Sequence, residues 1–206
     1  LQPFFMGIII SVIVGVVLTL PISSAAICAA VGISGGAVLA GVLDGSISMD
    51  VWNGLALAGG AATVGCCCNM LGFAVISYPD NGVGGLVAQG LGTSMLQVPN
   101  LMRKPILWIP PVLTSAILGP VATCIFQLRN NGAAISSGMG TAGLVGPIGI
   151  ITGWSNMPEG YAVGAFDWLG MILVCFVLPV LLSWAIGKFM RKKGWIKEGD
   201  LKVDLG

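Results

Sequence analysis

Apolar residues fill long stretches of this chain, and polar ones gather in short clusters between them. Residues 1–43 hold no ionisable side chain, enough for about two membrane-spanning helices of roughly 20 residues each. Charge then comes in small groups: Asp44 and Asp50, Asp80, Arg103 and Lys104, Arg129, and Glu159 with Asp167. The one sustained charged stretch is the tail, residues 188–204. Five apolar stretches between these groups read as spanning helices: residues 4–20, 24–43, 51–76, 106–128 and 168–187. The first stops at Pro21, and the second carries Gly32-Ile33-Ser34-Gly35-Gly36. The fourth, with Pro110, Pro111 and Pro120, is expected to kink.

Two further apolar stretches, residues 84–99 and 132–153, are punctuated by glycine, proline and hydroxyl residues. An unpaired backbone group costs several kcal/mol in hydrocarbon, so interrupted backbone survives there only where protein or a water-filled cavity shelters it. Both stretches therefore read as re-entrant or broken-helix hairpins. They also resemble each other: Gly90-Leu-Gly-Thr-Ser-Met-Leu-Gln-Val-Pro99 aligns with Gly138-Met-Gly-Thr-Ala-Gly-Leu-Val-Gly-Pro147. Gly90/Gly138, Gly92/Gly140, Thr93/Thr141, Leu96/Leu144 and Pro99/Pro147 are identical across the pair. Such segments serve as small-residue packing surfaces between helices, or as the paired interrupted helices of a transport site. The fold expected is an all-α integral membrane protein, a polytopic bundle of about five transmembrane helices and two broken-helix hairpins.

Composition supports the membrane and narrows the chemistry. The chain is 56% hydrophobic and 8% charged, where a soluble domain carries about a quarter charged residues. Net charge is +1, which offers no basic footprint for nucleic acid. Histidine is absent, so Ser-His-Asp and Cys-His catalysis are excluded. No lysine follows the glycines of residues 84–92 at phosphate-loop spacing. The six cysteines lie in apolar runs without CxxC spacing, and read as small buried hydrophobes. No catalytic residue, metal or cofactor is expected of this chain.

The basic cluster Lys188, Arg191, Lys192, Lys193 and Lys197 places the tail in the cytoplasm by the positive-inside rule. With both hairpins returning to the side they left, Arg103 and Lys104 also fall inside, while Asp44, Asp50, Glu159 and Asp167 fall outside. The N-terminus is then outside, and with Leu1 in place of methionine at least one upstream span is expected. The organisation reads as a transmembrane domain over residues 1–187 and a short charged cytoplasmic tail over 188–206. Lys188–Lys193 suit anionic lipid headgroups, and Trp52, Trp108, Trp154, Tyr161 and Trp168 suit interface anchors.

What remains for function is neutral hydrogen bonding. Gln89, Thr93, Ser94 and Gln97 lie on the first hairpin, Ser136, Ser137 and Thr141 on the second, and Asn69 within the third span. Asn130 and Asn131 stand at the mouth of the second hairpin. Such groups suit an uncharged polyol or sugar, although the same residue types also bond helix to helix. Glu159 reads as a solvated loop acid, with a gating role as the alternative.

Several ordered motifs carry a family resemblance: Gly32-Ile-Ser-Gly-Gly36, Asn69-Met-Leu-Gly-Phe-Ala-Val-Ile-Ser77, Gly82-Val-Gly-Gly-Leu86, Gln89-Gly-Leu-Gly-Thr-Ser-Met-Leu-Gln-Val-Pro99, Ile109-Pro-Pro111, Ser115-Ala-Ile-Leu-Gly-Pro120 and Gly138-Met-Gly-Thr-Ala-Gly-Leu-Val-Gly146. Together they resemble the membrane subunit IIC (EIIC) of a bacterial phosphotransferase-system branch that includes PfoR-type regulatory membrane proteins. The resemblance implies a bacterial inner-membrane homodimer that translocates a small neutral solute, a sugar, for phosphorylation by a separate EIIB subunit. Glucose-type EIIC domains use a membrane-embedded histidine and a Gly-Ile-Thr-Glu motif; this chain has neither, so those roles do not carry over. The alternatives are a membrane sensor that binds a solute without moving it, and a passive channel.

Overall fold

The computed structural model of the chain describes residues 1–20, 23–158 and 161–203. Among the described residues every regular element is helical. Helix α1 (Gln2–Thr19) is followed by the short α2 (Ser24–Val31) and α3 (Leu39–Leu43), then by α4 (Met49–Ile76). Helices α5 (Tyr78–Val87) and α6 (Val98–Arg103) flank the first glycine-rich interruption. Helix α7 (Ile109–Pro120) lies inside a longer helical run, Pro105–Ile125. Helix α8 (Val145–Trp154) follows the second interruption, and α9 (Ala165–Ile172) joins α10 (Leu178–Lys192) through a π-helical turn.

Four helical runs among the described residues are long and apolar enough to span a membrane: Gln2–Thr19, Met49–Ile76, Pro105–Ile125 and Ala165–Lys192. They coincide with four of the five expected spans, and the fold is an all-α, polytopic membrane bundle. The stretch 24–43 departs from a continuous helix. Gly32 ends α2 in the left-handed conformation at φ 69°, a position that glycine adopts without a Cβ clash. Beyond it, the Ser34 hydroxyl bonds the carbonyls of Asn130 and Gly132, and the Gly35 amide donates to Asn130 O. The Gly35 amide, which a straight helix would bond internally, and the Ser34 side chain are thus bonded to a segment almost 100 residues away.

Helix α4 is the axis of the bundle. Of its most apolar 18-residue window 89% is buried, against 28% in α1 and 33% in the last run, so the outer helices are left to face lipid. Small residues make this enclosure possible, because helices without side-chain bulk can bring their backbones together. Gly65 lies against the Ser11 carbonyl and Gly60 against the Leu128 carbonyl. Cys66, Cys67 and Cys68 are fully buried, as are Cys28 and Cys175, whereas Cys124 is exposed. The buried five pack as small apolar groups in two core clusters.

Residue pairs set the directions. Ser11 with Gly65 and Gly15 with Asn69 make α1 parallel to α4, and Gly7 with Gly119 and Ser11 with Ser115 make α7 antiparallel to α1. Gly72 with Ser183 and Ile76 with Gly187 make α10 parallel to α4. The end of α4, the start of the third run and the end of α10 therefore share one end of the bundle. Residues 195–203 do not leave that end. They fold back so that Ile196 and Leu201 are buried with Phe73, Ile76, Leu101, Leu107 and Met190. A half-buried ion pair, Arg191 to Asp80 at 2.7 Å, closes the same region.

One sequence reading changes here. Trp52 is not an interface anchor: it is fully buried, and its indole N–H donates to Asn131 Oδ1 at 3.0 Å. It sits at the start of α4, the most enclosed helix, where protein surrounds it on all sides. The Tyr161 ring packs against it at a 56° tilt, and the Arg129 guanidinium lies over Tyr161. Glu159 lies outside the described residues.

Candidate functional site

The two related segments break at their shared Gly-X-Gly-Thr motif. In the first, α5 passes into a π-helical turn over Ala88–Gly92, and Thr93 is then extended (φ −155°, ψ 138°). The Thr93 hydroxyl accepts the Met95 amide and so starts a new helical turn. In the second, a 3-10 turn over Ala134–Gly138 gives way at Gly140, which has φ 53°. A Cβ at Gly140 would also stand 2.7 Å from the Cys66 carbonyl carbon, so conformation and close approach both demand glycine there. Pro99 and Pro147 lie in the first turns of α6 and α8, where a missing N–H costs nothing.

Asn81, before the first break, and Asn100, after it, both donate to the folded-back tail, at Leu201 O and Lys202 O. In the second segment Asn131 accepts from Trp52 and donates to Asn156 O, tying its two limbs together at the opposite end. The tips meet inside the bundle, where the Thr141 hydroxyl donates to Gly90 O at 2.6 Å.

Beside that contact lies a cavity of about 340 Å³, at the lower end of the range for small-molecule sites. Gly92, Thr93 and Met95 of the first break line it, with Met139 and Ala142 of the second. Leu18 of α1 and Ser23, Ser24 and Ala25 at the start of α2 complete the wall, which contains no ionisable residue. The Ser24 hydroxyl donates to Gly138 O at 2.6 Å, fixing α2 to the second break. The Ser23 hydroxyl accepts the Ala26 amide, as Thr93 accepts that of Met95. Each keeps its own O–H for another acceptor, so two hydroxyl donors face one cavity from different elements.

Of the eight residues singled out from sequence, Thr93 lines this cavity and the other seven are bonded or buried within protein. Asn69 donates to Gly65 O and to the Ser115 hydroxyl, and accepts from Thr19. Ser94 bonds Thr19 at 3.2 Å. Gln89 and Gln97 form a buried chain: Gln97 donates to Gln89 Oε1 and to Leu201 O, and Gln89 donates to Ser77. Ser136 bonds Asn130 and the Ala133 carbonyl. Thr141 is committed to Gly90, and the buried Ser137 hydroxyl has no partner among the described residues. Sequence reasoning missed Ser23 and Ser24. The available signal was the pair of serines between Pro21 and an alanine-rich run, the pattern of a helix N-cap.

Comparison with curated proteins and with solved structures returned no match. A match to the family described as "Phosphotransferase system, EIIC" covers residues 1–203, the four spans, both broken segments and the folded-back tail together. The chain belongs to the phosphotransferase-system EIIC family and is a permease-type, multi-pass membrane component of that system.

Proposed function

We propose that this chain translocates a small neutral solute, a sugar, in a phosphoenolpyruvate-dependent phosphotransferase system of a bacterial inner membrane. The observation that carries the reading is the uncharged cavity at the meeting of the two Gly-X-Gly-Thr breaks. A sugar offers many hydroxyls and no charge, and the wall offers matching groups: the Ser23 and Thr93 hydroxyls, and the leading amides of α2. Apolar Leu18, Met95 and Met139 suit the faces of a sugar ring. Interrupted helices meeting from opposite ends of a bundle are the usual seat of such sites in carriers. Rocking the element that carries one break against the other would open the cavity to each side in turn. The chain supplies no phosphoryl-transfer group of its own, so phosphorylation falls to a separate EIIB subunit on the cytoplasmic side, to which the positive-inside rule assigns the tail. A homodimer is the assembly expected from the resemblance.

The test is uptake of labelled sugars into proteoliposomes, with and without a phosphoenolpyruvate-charged EIIA/EIIB mixture. Phosphorylated sugar is expected to accumulate only with the mixture. Thr93→Val is expected to raise KM for uptake about tenfold, the scale of a lost hydrogen bond to a bound hydroxyl, with membrane abundance unchanged. Wild-type KM in Thr93→Val would remove the cavity from the transport path. Failure of every sugar to move, with binding retained, would favour a solute sensor.

A further inference from the structure

A second cavity, of about 470 Å³, lies between the end of α4 and α10, and no residue of either Gly-X-Gly-Thr break lines it. Ile76, Pro79 and Trp184 form its apolar floor, and Lys188, Arg191 and Lys192 stand along its rim. Gly187 lets α10 lie close against α4 at this cavity, since a Cβ there would stand 2.6 Å from Ile76 Cγ2. We infer that this groove binds an anionic glycerophospholipid of the cytoplasmic leaflet, its phosphate held by Lys188, Arg191 and Lys192 and an acyl chain lying along Trp184.

Charge is the first argument. The acid facing the groove is Asp80, and both its oxygens are engaged, one by Arg191 at 2.7 Å and the other by the Gly199 amide. Among the described residues, no carboxylate lies within 4.0 Å of Lys188 or Lys192. Both protein bonds of the Arg191 guanidinium run through Nη2, which leaves Nε and Nη1 for an outside acceptor. The rim therefore holds unneutralised positive charge and directed donors of the kind that phosphate diesters take.

Depth is the second argument. Lys188 lies one turn beyond Trp184 and stacks on its ring at 4.6 Å. Tryptophan favours the membrane–water boundary, and one to two further helical turns, about 6–12 Å, reach headgroup level. On the other side of Trp184 the surface is apolar and open, with Leu181 of α10 and Val177 of the preceding π-helical turn exposed. A free phosphate would leave that floor and face bare, whereas a lipid occupies both, and basic pockets between spans at this level suit anionic headgroups.

The experiment is native mass spectrometry of the full chain in detergent, titrated with phosphatidylglycerol or phosphatidylcholine. Wild type is expected to retain one phosphatidylglycerol about tenfold more readily than phosphatidylcholine. The K188Q/K192Q variant, altered at two exposed side chains, should lose that preference, while K193Q/K197Q, which changes basic residues outside the groove, should keep it. Equal retention of the two lipids by wild type would overturn the inference. So would equal loss in both double variants, which reduces the effect to the charge of the tail. Displacement of the retained lipid by millimolar inorganic phosphate would assign the rim to a free anion instead.

Discussion

Gly65→Leu is expected to prevent α1 from packing on α4, with loss of most folded protein. A Cβ at Gly65 would overlap the Ser11 carbonyl, and the opposing atoms are backbone, which cannot swing aside. Overpacking a well-fitted core costs about 1–3 kcal/mol, and more where backbone must move. Here the displaced helix also carries the Ser11 bond to Ser115 O and the Thr19 contacts with Asn69 and Ser94. A loss of about 3 kcal/mol or more is therefore expected, read as a fall in the monodisperse fraction and in Tm in detergent. Gly54→Leu on the same helix is the matched control, since nothing lies within 4 Å of its Cβ position. Equal behaviour of the two variants would show that the α1–α4 approach is not what holds the bundle.

The second large effect is expected on removing residues 195–206. Ile196 and Leu201 are 2% and 0% exposed, and burial of each such side chain stabilises by about 1.5–3 kcal/mol. The truncation also removes the Leu201 and Lys202 carbonyls, which accept from Asn81, Gln97 and Asn100. Those amides flank the first break on both sides, so its hinge should loosen along with the bundle end. The expected result is a drop of about 3 kcal/mol in stability, with faster amide hydrogen exchange across residues 81–103. Unchanged exchange there would mean that the tail rests on the first segment without restraining it.

The same docking carries a pH dependence. Burial pushes the Asp200 carboxyl up, but hydrogen bonds from Lys104 and the Lys197 amide, with the charges of both lysines, outweigh it and hold the carboxyl below its ordinary value of 3.8. A carboxylate with a depressed folded-state value stabilises fully above its unfolded value and loses that contribution as pH falls through the folded one. Tail docking should therefore be constant near neutrality and weaken only in the acid range below 3.8. The effect should be small, because an ion pair as accessible as Lys104–Asp200 is worth about 0–1 kcal/mol.

The buried glutamines show how far residue type alone can be read. Gln89 and Gln97 have the donors and acceptors a sugar would need, and so does the chain of protein groups that they meet: Ser77, each other, Asn100 and Leu201 O. Amides and hydroxyls bond the same way to a ligand or to a neighbouring helix, so the sequence holds no signal that separates the two uses. On the geometry, Gln89→Ala should act through the restraint on the first break rather than through a direct contact with the cavity.

The apolar runs themselves determined the all-α membrane fold and the positions of α1, α4, α7 and the α9–α10 run. A span is a local property: about 20 apolar residues must close their own hydrogen bonds in hydrocarbon, wherever the rest of the chain lies. The Gly-X-Gly-Thr pair likewise announced its two breaks, because glycine and threonine bias the backbone at their own positions. Only the tertiary structure decided that residues 24–43 break at Gly32, that Trp52 is enclosed, and that the tail folds back. Each of these depends on partners far along the chain: Asn130 and Gly132 for Ser34, Asn131 for Trp52, and Asn81 and Gln97 for Leu201. Which hydroxyls face a cavity was settled in the same way, since a serine keeps a donor for solute only where packing leaves it no acceptor of its own.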